Sequence, residues 1–318
     1  MMMRRYKAMK SLGYHEKQLD YNIKGLLNDI RLKKNIPECV PIDLNDPEYK
    51  DILKSSPFNP KAIGGLAQTF GISDKVITVE LWRDLSNGWL PASYLPQDSK
   101  LKVVETGRGP MVKLNRSAVP IKEDGAYDYK SADKDKTQKN RRPGTEFLYV
   151  FGDNFSTVLG HMATKDPQVE VKFNDLCMKV FQQHIMPELL ADAGIRKGKD
   201  GKDLQRVEEI LAVPFLHSEN RKGGPFYHFH FDLMNVAKGF DGQLYTLNTD
   251  RIGENASKYD AIFMNRMKDS LQKEFGLVFE KVFHKDDVAD DFQKDTDRKV
   301  VSFDILDSAI PEAVRDYR

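Results

Sequence analysis

The sequence has only two cysteines, Cys39 and Cys177, among its 318 residues. Two thiols are too few for a disulfide framework or a thiolate cluster, so a bound metal ion would need histidine and carboxylate ligands. The sequence also lacks a run of about 18 to 20 apolar residues, the length that a membrane-spanning helix needs. Its first ten residues, MMMRRYKAMK, lack the apolar core of a secretion signal. We therefore expect a cytoplasmic protein that does not insert into a membrane.

Positive and negative charges are nearly balanced: the sequence has 49 Lys and Arg residues and 48 Asp and Glu residues, and its formal net charge is +1. Glycine and proline are too scarce, at 21 and 15 residues, for a fibrous repeat. The charges are nevertheless clustered. Residues 134–142 carry five basic groups and one acidic group, residues 196–206 carry five and two, and residues 286–297 carry six acids and one lysine. Each cluster is either a solvated loop or a binding surface, and the basic ones suit a polyanion.

Apolar periodicity and capping signals predict four helices. The helix predicted over residues 11–33 has an apolar stripe on one face, and a proline-rich, irregular insertion over residues 36–61 follows it. The predicted helices are 11–33, 73–86 with Ser73 as N-cap, one that starts at Asp166-Pro167 and kinks at Pro187, and one capped by Ser257 and Asp260 that ends at Gly276.

Four segments have the composition of strands. FLYVF at residues 147–151 is a dense apolar and aromatic run, which is typical of a buried strand. Residues 207–217 and 226–236 are joined by the turn NRKGG, and residues 243–248 follow a DG turn. Strands in direct succession favour an antiparallel sheet, so we expect an α+β fold.

The strongest chemical signal is the segment HSENRKGGPFYHFH, which contains His217, His228 and His230. In a β-strand, residues two apart project from the same face with their Cα atoms about 6.6 Å apart, so the imidazoles of His228 and His230 can converge on one ion. His217 would join them from the neighbouring antiparallel strand. Three nitrogen ligands with open coordination positions are typical of a catalytic divalent metal site.

Other interpretations of these histidines stay open at this point. A lone His-x-His pair is often an ordinary pair of sheet histidines. HFHFD is similar to the HxHxD motif of metallo-β-lactamase-like hydrolases, but Leu233 stands where that motif has another histidine. An amidohydrolase would need further ligands downstream, where only His284 remains. Asp232 shares the strand face of the His pair and is a candidate further ligand or orienting group.

The segment FLHSENRKGGPFYHFHFDLMNVAKGFDGQLYTLN closely resembles the three-histidine motif of the HUH-type conjugative relaxases of the TrwC/TraI family. In that motif a single histidine precedes the His-hydrophobic-His pair by eleven residues. The segments GGLAQTFGISDKVITVELWRDLSNG, RRPGTEFLYVFGDNFS and YDAIFMNRMKDSLQKEFG are also similar to that family. The resemblance covers residues 61–312, and the histidine motif is its most specific part.

The resemblance implies a central antiparallel sheet that carries the histidines, flanked by helices, as in HUH endonucleases. It also implies a metal-dependent tyrosine transesterase that nicks one DNA strand at a transfer origin and stays attached to the 5′ phosphate. The family's nucleophile is an N-terminal tyrosine, usually within two pairs of adjacent tyrosines. This chain has no such pair, and Tyr14 and Tyr21, seven residues apart, are the candidate nucleophiles, with Tyr6 as a further one. Glu146 fills the position of the family's acidic residue, usually Asp, which would orient a histidine or assist deprotonation of the tyrosine.

The implied metal is Mg²⁺ or Mn²⁺, although three imidazoles also suit Zn²⁺ or Ni²⁺. The implied partners are single-stranded DNA at a transfer origin beside a hairpin, relaxosome accessory proteins and a type IV coupling protein, in the bacterial cytoplasm. The basic clusters then become candidate phosphate contacts. These candidates are Lys134, Lys136, Lys139, Arg141, Arg142, Lys197, Lys199 and Lys202.

We expect one domain over residues 1–318. Within it, the tyrosines lie on the first helix and residues 285–318 form the C-terminal segment. The end of that segment, IPEAVRDYR, resembles the place where family members enter a further helical segment and often a helicase, so we expect either a truncated chain or a short relaxase. Three alternatives remain: a rolling-circle replication initiator of the same superfamily, a catalytically impaired DNA-binding relative, and a metal-dependent hydrolase of small molecules.

Overall fold

The chain forms antiparallel sheets and helices in the computed structural model, which describes residues 2–5, 27, 30–31, 33–37, 40, 42, 47–49, 51–52, 56, 60–73, 75, 77–129, 131, 144–197, 203–219, 224–283 and 300–305. The strands are β1 (Met2–Arg5), β2 (Trp89–Pro91), β3 (Val103–Thr106), β4 (Gly109–Lys113), β5 (Gly144–Val150), β6 (Gly194–Lys197), β7 (Asp203–Arg206), β8 (Glu209–Glu219), β9 (Pro225–Lys238), β10 (Leu244–Tyr245), β11 (Phe279–Phe283) and β12 (Val300–Ile305). The helices are α1 (Gly65–Thr69), α2 (Val79–Ser86), α3 (Asp153–Lys165), α4 (Gln168–Val180), α5 (Met186–Asp192), α6 (Asp250–Glu254) and α7 (Ala256–Phe275). Short 3-10 turns cover Pro47–Tyr49 and Ala92–Tyr94.

The 14-residue strand β9 is the centre of the main sheet. Strand β8 pairs with it along one side, while β5 and then β10 pair with it along the other, and β1 lies outside β5. All of these pairs are antiparallel. The predicted α+β class and antiparallel sheet are therefore confirmed. The outer strand β1 was missed by the sequence analysis.

The two faces of β9 carry different sets of side chains, because successive side chains in a strand point to opposite sides of the sheet. Phe229 and Phe231 face a helical layer, where the ring of Phe181 stacks on that of Phe231 with centroids 3.4 Å apart. Phe263 of α7 stacks on Phe229 at 6.2 Å. The intervening residues, which include both histidines of the pair, face the other side of the sheet. Aromatic packing on one face thus fixes which residues the opposite face presents.

Helices cover part of the histidine face of the sheet as well. Phe215 of β8 is registered opposite His230 and therefore shares its face. The ring of Trp82 on α2 packs edge-on against Phe215 with centroids 5.2 Å apart. Helix α2 consequently forms a wall beside the histidines.

Several predicted helix boundaries are wrong. Helix α2 begins at Val79 and not at residue 73, because the Thr78 hydroxyl accepts the Leu81 N–H at 3.2 Å and caps the helix there. The last helix begins at Ala256 with Asn255 as N-cap, one residue before Ser257. The predicted kink at Pro187 is instead a π-helical turn over Phe181–Ile185.

Other boundary signals are confirmed. Gly88 and Gly276 adopt positive φ angles of 81° and 67° just after their helices, a conformation that glycine tolerates best. Asp166 accepts the Gln168 N–H at 3.0 Å, at the start of α4. Residues 27, 30, 31, 33 and 34 are helical, as predicted for the end of the first helix. The rest of that helix, with Tyr14 and Tyr21, and the segment 306–318 lie outside the described residues.

A small sheet in the order β2-β4-β3 has a core of its own. It is attached to α2 through Asp84, whose carboxylate accepts a hydrogen bond of 2.6 Å from Tyr127 Oη and lies 3.2 Å from the Arg108 guanidinium. Burial raises the pKa of Asp84, and the contacts with Tyr127 and Arg108 oppose this rise. The three residues therefore tie the small sheet to the wall beside the histidines.

The C-terminal hairpin β11–β12 docks on the first turn of α3. The Asp304 carboxylate accepts the Asn154 N–H at 3.2 Å and the Phe155 N–H at 2.8 Å. These are backbone donors that a helix leaves unsatisfied at its N-terminus. Among the described residues, no helix is long and apolar enough to cross a membrane.

Candidate metal centre

Three buried histidines meet on two neighbouring strands. His217 of β8 is registered directly opposite His228 of β9, and His230 follows two residues later on the same face of β9. Their exposed fractions are only 5%, 4% and 7%. The antiparallel pairing of β8 with β9 places His217 beside the pair, so the local arrangement follows from the spacing seen in the sequence.

The ring nitrogens of the three histidines converge. Nδ1 of His217 lies 3.0 Å from Nε2 of His228, and one ligand atom from each of the three residues lies within 4.8 Å of the others. With metal–nitrogen bonds of about 2.1 Å, two ligand nitrogens at right angles are about 3.0 Å apart. The cluster therefore has the dimensions of a coordination site for one ion.

Glu146 and a backbone carbonyl orient two of the rings. Oε1 of Glu146 lies 2.6 Å from Nδ1 of His230, and the Phe226 carbonyl oxygen lies 2.9 Å from Nδ1 of His228. Both oxygens accept, so each Nδ1 carries a proton and each Nε2 is left with its lone pair. A carboxylate behind a ligating histidine is the usual device for fixing ring orientation and raising basicity.

The protonation state of His228 also favours metal binding. Burial lowers the pKa of His228 to about 4, although its hydrogen bond to the Phe226 carbonyl opposes the change. The ring is therefore neutral near pH 7, as a metal ligand must be. A neutral His228, convergent ring nitrogens and a carboxylate behind one ring together fit a divalent cation.

Asp232 is a second buried carboxyl beside this cluster. It lies two residues after His230 and is registered opposite Glu146, with an exposed fraction of 2%. Among the described residues neither of its oxygens has a hydrogen-bond partner. Burial and the charge of Glu146 raise the pKa of Asp232 well above its usual range. The convergent ligand atoms are those of the histidines and exclude this carboxyl.

The candidate nucleophiles Tyr14 and Tyr21 and most of the candidate phosphate contacts lie outside the described residues. Those contacts are Lys134, Lys136, Lys139, Arg141, Arg142, Lys199 and Lys202. Lys197 is described, and its ammonium lies 2.6 Å from Asp241 and 4.7 Å from the centre of the Tyr245 ring. DNA would have to compete with these two partners for Lys197.

The sequence analysis missed the aromatic wall of Phe215 and Trp82. The position of Phe215 could have been predicted, because Phe215 precedes His217 by two residues and must share its face of β8. Nothing in the sequence connects Trp82, which is more than 130 residues away from Phe215, to the same place.

Comparison with known proteins gives one family. The family model of the TrwC relaxase matches residues 49–293. Among solved structures, the conjugative relaxase TrwC in complex with oriT DNA is similar in fold, with 14% sequence identity, a TM-score of 0.57, and coverage of 96% of this chain and 75% of that chain. A metal-bound TrwC–oriT DNA structure has 15% identity, a TM-score of 0.53 and the same two coverages. A TrwC complex with a 27-mer DNA that contains the recognition hairpin and the cleavage site has 16% identity, a TM-score of 0.51, and coverage of 83% and 73%. No curated protein sequence matches the chain.

Proposed function

Because the chain belongs to the TrwC relaxase family, we propose that it is a metal-dependent tyrosine transesterase that nicks one DNA strand at a transfer origin. In this proposal it remains attached to the 5′ phosphate and initiates conjugative transfer. The observation that carries the proposal is the convergence of three buried histidines with Glu146 behind one of them. The solved TrwC structures with oriT DNA support a single-stranded origin beside a hairpin as the substrate.

The chemistry needs an oxygen nucleophile and a positive charge close to the phosphate. A bond forms between the tyrosine oxygen and phosphorus, and the bond from phosphorus to the 3′ oxygen breaks, so the leaving strand ends in a 3′ hydroxyl. His217, His228 and His230 would hold a divalent ion, which would supply the positive charge that stabilises the pentacoordinate phosphate. Glu146 holds His230 in the orientation that presents Nε2. Tyr14 or Tyr21 is the proposed nucleophile.

The test is a covalent adduct. The full chain is incubated with Mn²⁺ and single-stranded oligonucleotides that tile a candidate origin, each labelled at its 3′ end. Because the protein is attached to the 5′ phosphate of the downstream product, the label should migrate with the protein in a denaturing gel. Only a tyrosine transesterase gives such an adduct; metal-dependent hydrolysis would release free fragments, and a catalytically impaired relative would bind the DNA without cutting it.

Histidine variants test the metal site in the same assay. His228→Ala and His230→Ala should abolish stoichiometric Mn²⁺ binding in calorimetry and remove the adduct. His184→Ala, which changes a histidine on the π-helical turn behind the sheet, is the matched control. Full Mn²⁺ affinity in both cluster variants would contradict the assignment of the metal ligands.

The remaining alternatives differ in what the protein does with its product. A rolling-circle initiator would form the same adduct at a replication origin, so mating assays with a mobilisable plasmid separate it from a relaxase. For a relaxase we also expect relaxosome accessory proteins and a type IV coupling protein as partners in the bacterial cytoplasm. Copurification with such proteins is the direct measurement.

A further inference from the structure

Asp232 is a buried acidic residue to which the proposed chemistry gives no role. Its exposed fraction is 2%, and neither of its carboxyl oxygens has a hydrogen-bond partner among the described residues. A buried polar group without a partner costs free energy, and an ionisable one costs more. In native proteins such a group usually has a catalytic role or satisfies its hydrogen bonds through an ion or water.

The two residues that flank Asp232 in the sheet are apolar and acidic. On one side Asp232 is registered opposite Val213 of β8. On the other side it is registered opposite Glu146 of β5, whose Oε1 already accepts a hydrogen bond from Nδ1 of His230. Two acidic side chains directly opposite each other on neighbouring strands repel when both are charged. A cation close to both carboxyl groups is therefore the partner that suits this row of the sheet.

The row that contains Asp232 is next to the histidines. Asp232 follows His230 by two residues, so its side chain shares the histidine face of β9 and the two Cα atoms are about 6.6 Å apart. The ligand atoms that lie within 4.8 Å of one another belong to the three histidines and do not include the Asp232 carboxyl. This carboxyl is therefore a close neighbour of the ligand nitrogens and not one of the ligands.

We propose that Asp232 is a positioning residue that makes the histidine site selective for hard divalent cations such as Mn²⁺ and Mg²⁺, because it accepts hydrogen bonds from the water that these cations keep. Such cations prefer oxygen ligands and retain water when they bind to a protein. Zn²⁺ prefers four ligands, so three imidazoles leave it room for one water molecule. The negative charge of Asp232 favours both kinds of ion, whereas its hydrogen bonds to water favour the more hydrated one.

This inference rests on the proposed function for its metal site, but its test needs no DNA. Calorimetry of the full chain gives the affinities for Mn²⁺ and, with a competing chelator, for Zn²⁺. Asp232→Asn keeps the shape of the side chain and removes its charge. The Mn²⁺ affinity should fall about 10- to 100-fold, the usual effect of losing a residue that supports a metal site. The Zn²⁺ affinity should fall no more than about threefold, because imidazole nitrogens dominate its binding. Asp175→Asn, at an exposed position of α4, is the matched control and should change neither affinity.

A second variant separates this role from a purely structural one. Asp232→Val replaces a buried carboxyl that has no partner among the described residues with an apolar side chain of similar size, so the metal-free variant should unfold at a higher urea concentration than the wild type. Equal losses of Mn²⁺ and Zn²⁺ affinity in Asp232→Asn, an unchanged Mn²⁺ affinity, or a lower urea midpoint in Asp232→Val would overturn the proposal. The proposed function fails separately, through the absence of the Mn²⁺-dependent adduct in the wild type.

Discussion

Glu146 on β5 and His230 on β9 are joined by a contact of 2.6 Å between Oε1 and Nδ1, with both side chains buried. The carboxylate fixes the ring so that Nε2 faces the other two histidines. Glu146→Gln keeps the shape of the side chain but replaces the charge by a weaker acceptor. We expect its Mn²⁺ affinity in calorimetry to fall about 10- to 100-fold, the usual effect of losing such a partner.

The fold should survive this change, because glutamine occupies nearly the same volume. Glu188→Gln is the control, since Glu188 lies on α5 behind the sheet and pairs with Lys258. If Glu146→Gln binds Mn²⁺ as tightly as the wild type, the carboxylate has no role in preparing His230 for the metal.

A second prediction concerns Asp192, the last residue of helix α5. Burial alone would raise the pKa of Asp192, but hydrogen bonds from Tyr259 and Asn255 and the charge of Lys258 outweigh it and lower the pKa. A lowered pKa means that the folded state favours the ionised form. The stability that Asp192 contributes is therefore present above the unfolded pKa of about 3.8 and is lost as the pH falls below it.

Asp192→Asn should accordingly reduce the free energy of unfolding at pH 7 by roughly 1 kcal/mol, the scale of one hydrogen bond at a partly exposed site. The difference from wild type should shrink as the pH falls below about 4. Urea titrations at several pH values measure both effects. The exposed Asp175→Asn is the control, and a pH-independent difference would show that the charge of Asp192 is irrelevant.

The histidine cluster could be predicted from the sequence because its determinants are local. The spacing of His228 and His230 sets their common face, and the antiparallel pairing of β8 with β9 places His217 opposite His228. The alternation with Phe229 and Phe231 fixes which face is buried under the helices. The position of Glu146 came from the family resemblance instead, and the pairing of β5 with β9 places it within reach of His230.

Features that depend on distant pairing could not be predicted. Strand β1 has the sequence MMRR, which carries no strand signal, and its pairing with β5 spans about 140 residues of chain. Among the described strands, β5 pairs with β9 as far as Met234 and β10 pairs with it from Ala237, and no local pattern in the sequence shows that the two strands meet β9 at separate places. The sequence analysis placed the start of α2 at Ser73, and only the structure shows that the Thr78 hydroxyl accepts the Leu81 N–H and caps the helix there.

A third prediction concerns the basic residues. Each phosphate contact on a single strand contributes a slope of about −0.7 to the dependence of log K on log salt concentration. Converting Lys134, Lys136 and Lys139 to Gln should therefore flatten the slope by about two units. Lys197→Gln should have a smaller effect than one full contact, because Asp241 already holds that ammonium at 2.6 Å. Fluorescence anisotropy with a labelled single strand, measured from low to moderate salt, gives both slopes, and an unchanged slope in the triple variant would place the DNA elsewhere.

The last prediction is the identity of the nucleophile. We expect the phosphotyrosine on Tyr14 or Tyr21, with Tyr14 favoured because it aligns with the first tyrosine pair of the family. In the helix predicted over residues 11–33, a separation of seven residues would put the two side chains on one face about 10 Å apart, so that either could attack and the other could serve a later strand exchange. Phenylalanine at the true nucleophile removes only the attacking oxygen, so Mn²⁺ and DNA binding should persist while the adduct disappears. Proteolysis of the trapped adduct and mass spectrometry of the nucleotide-bearing peptide identify the residue. A label on Tyr6, or on no tyrosine of the first helix, would refute this assignment while leaving the histidine site intact.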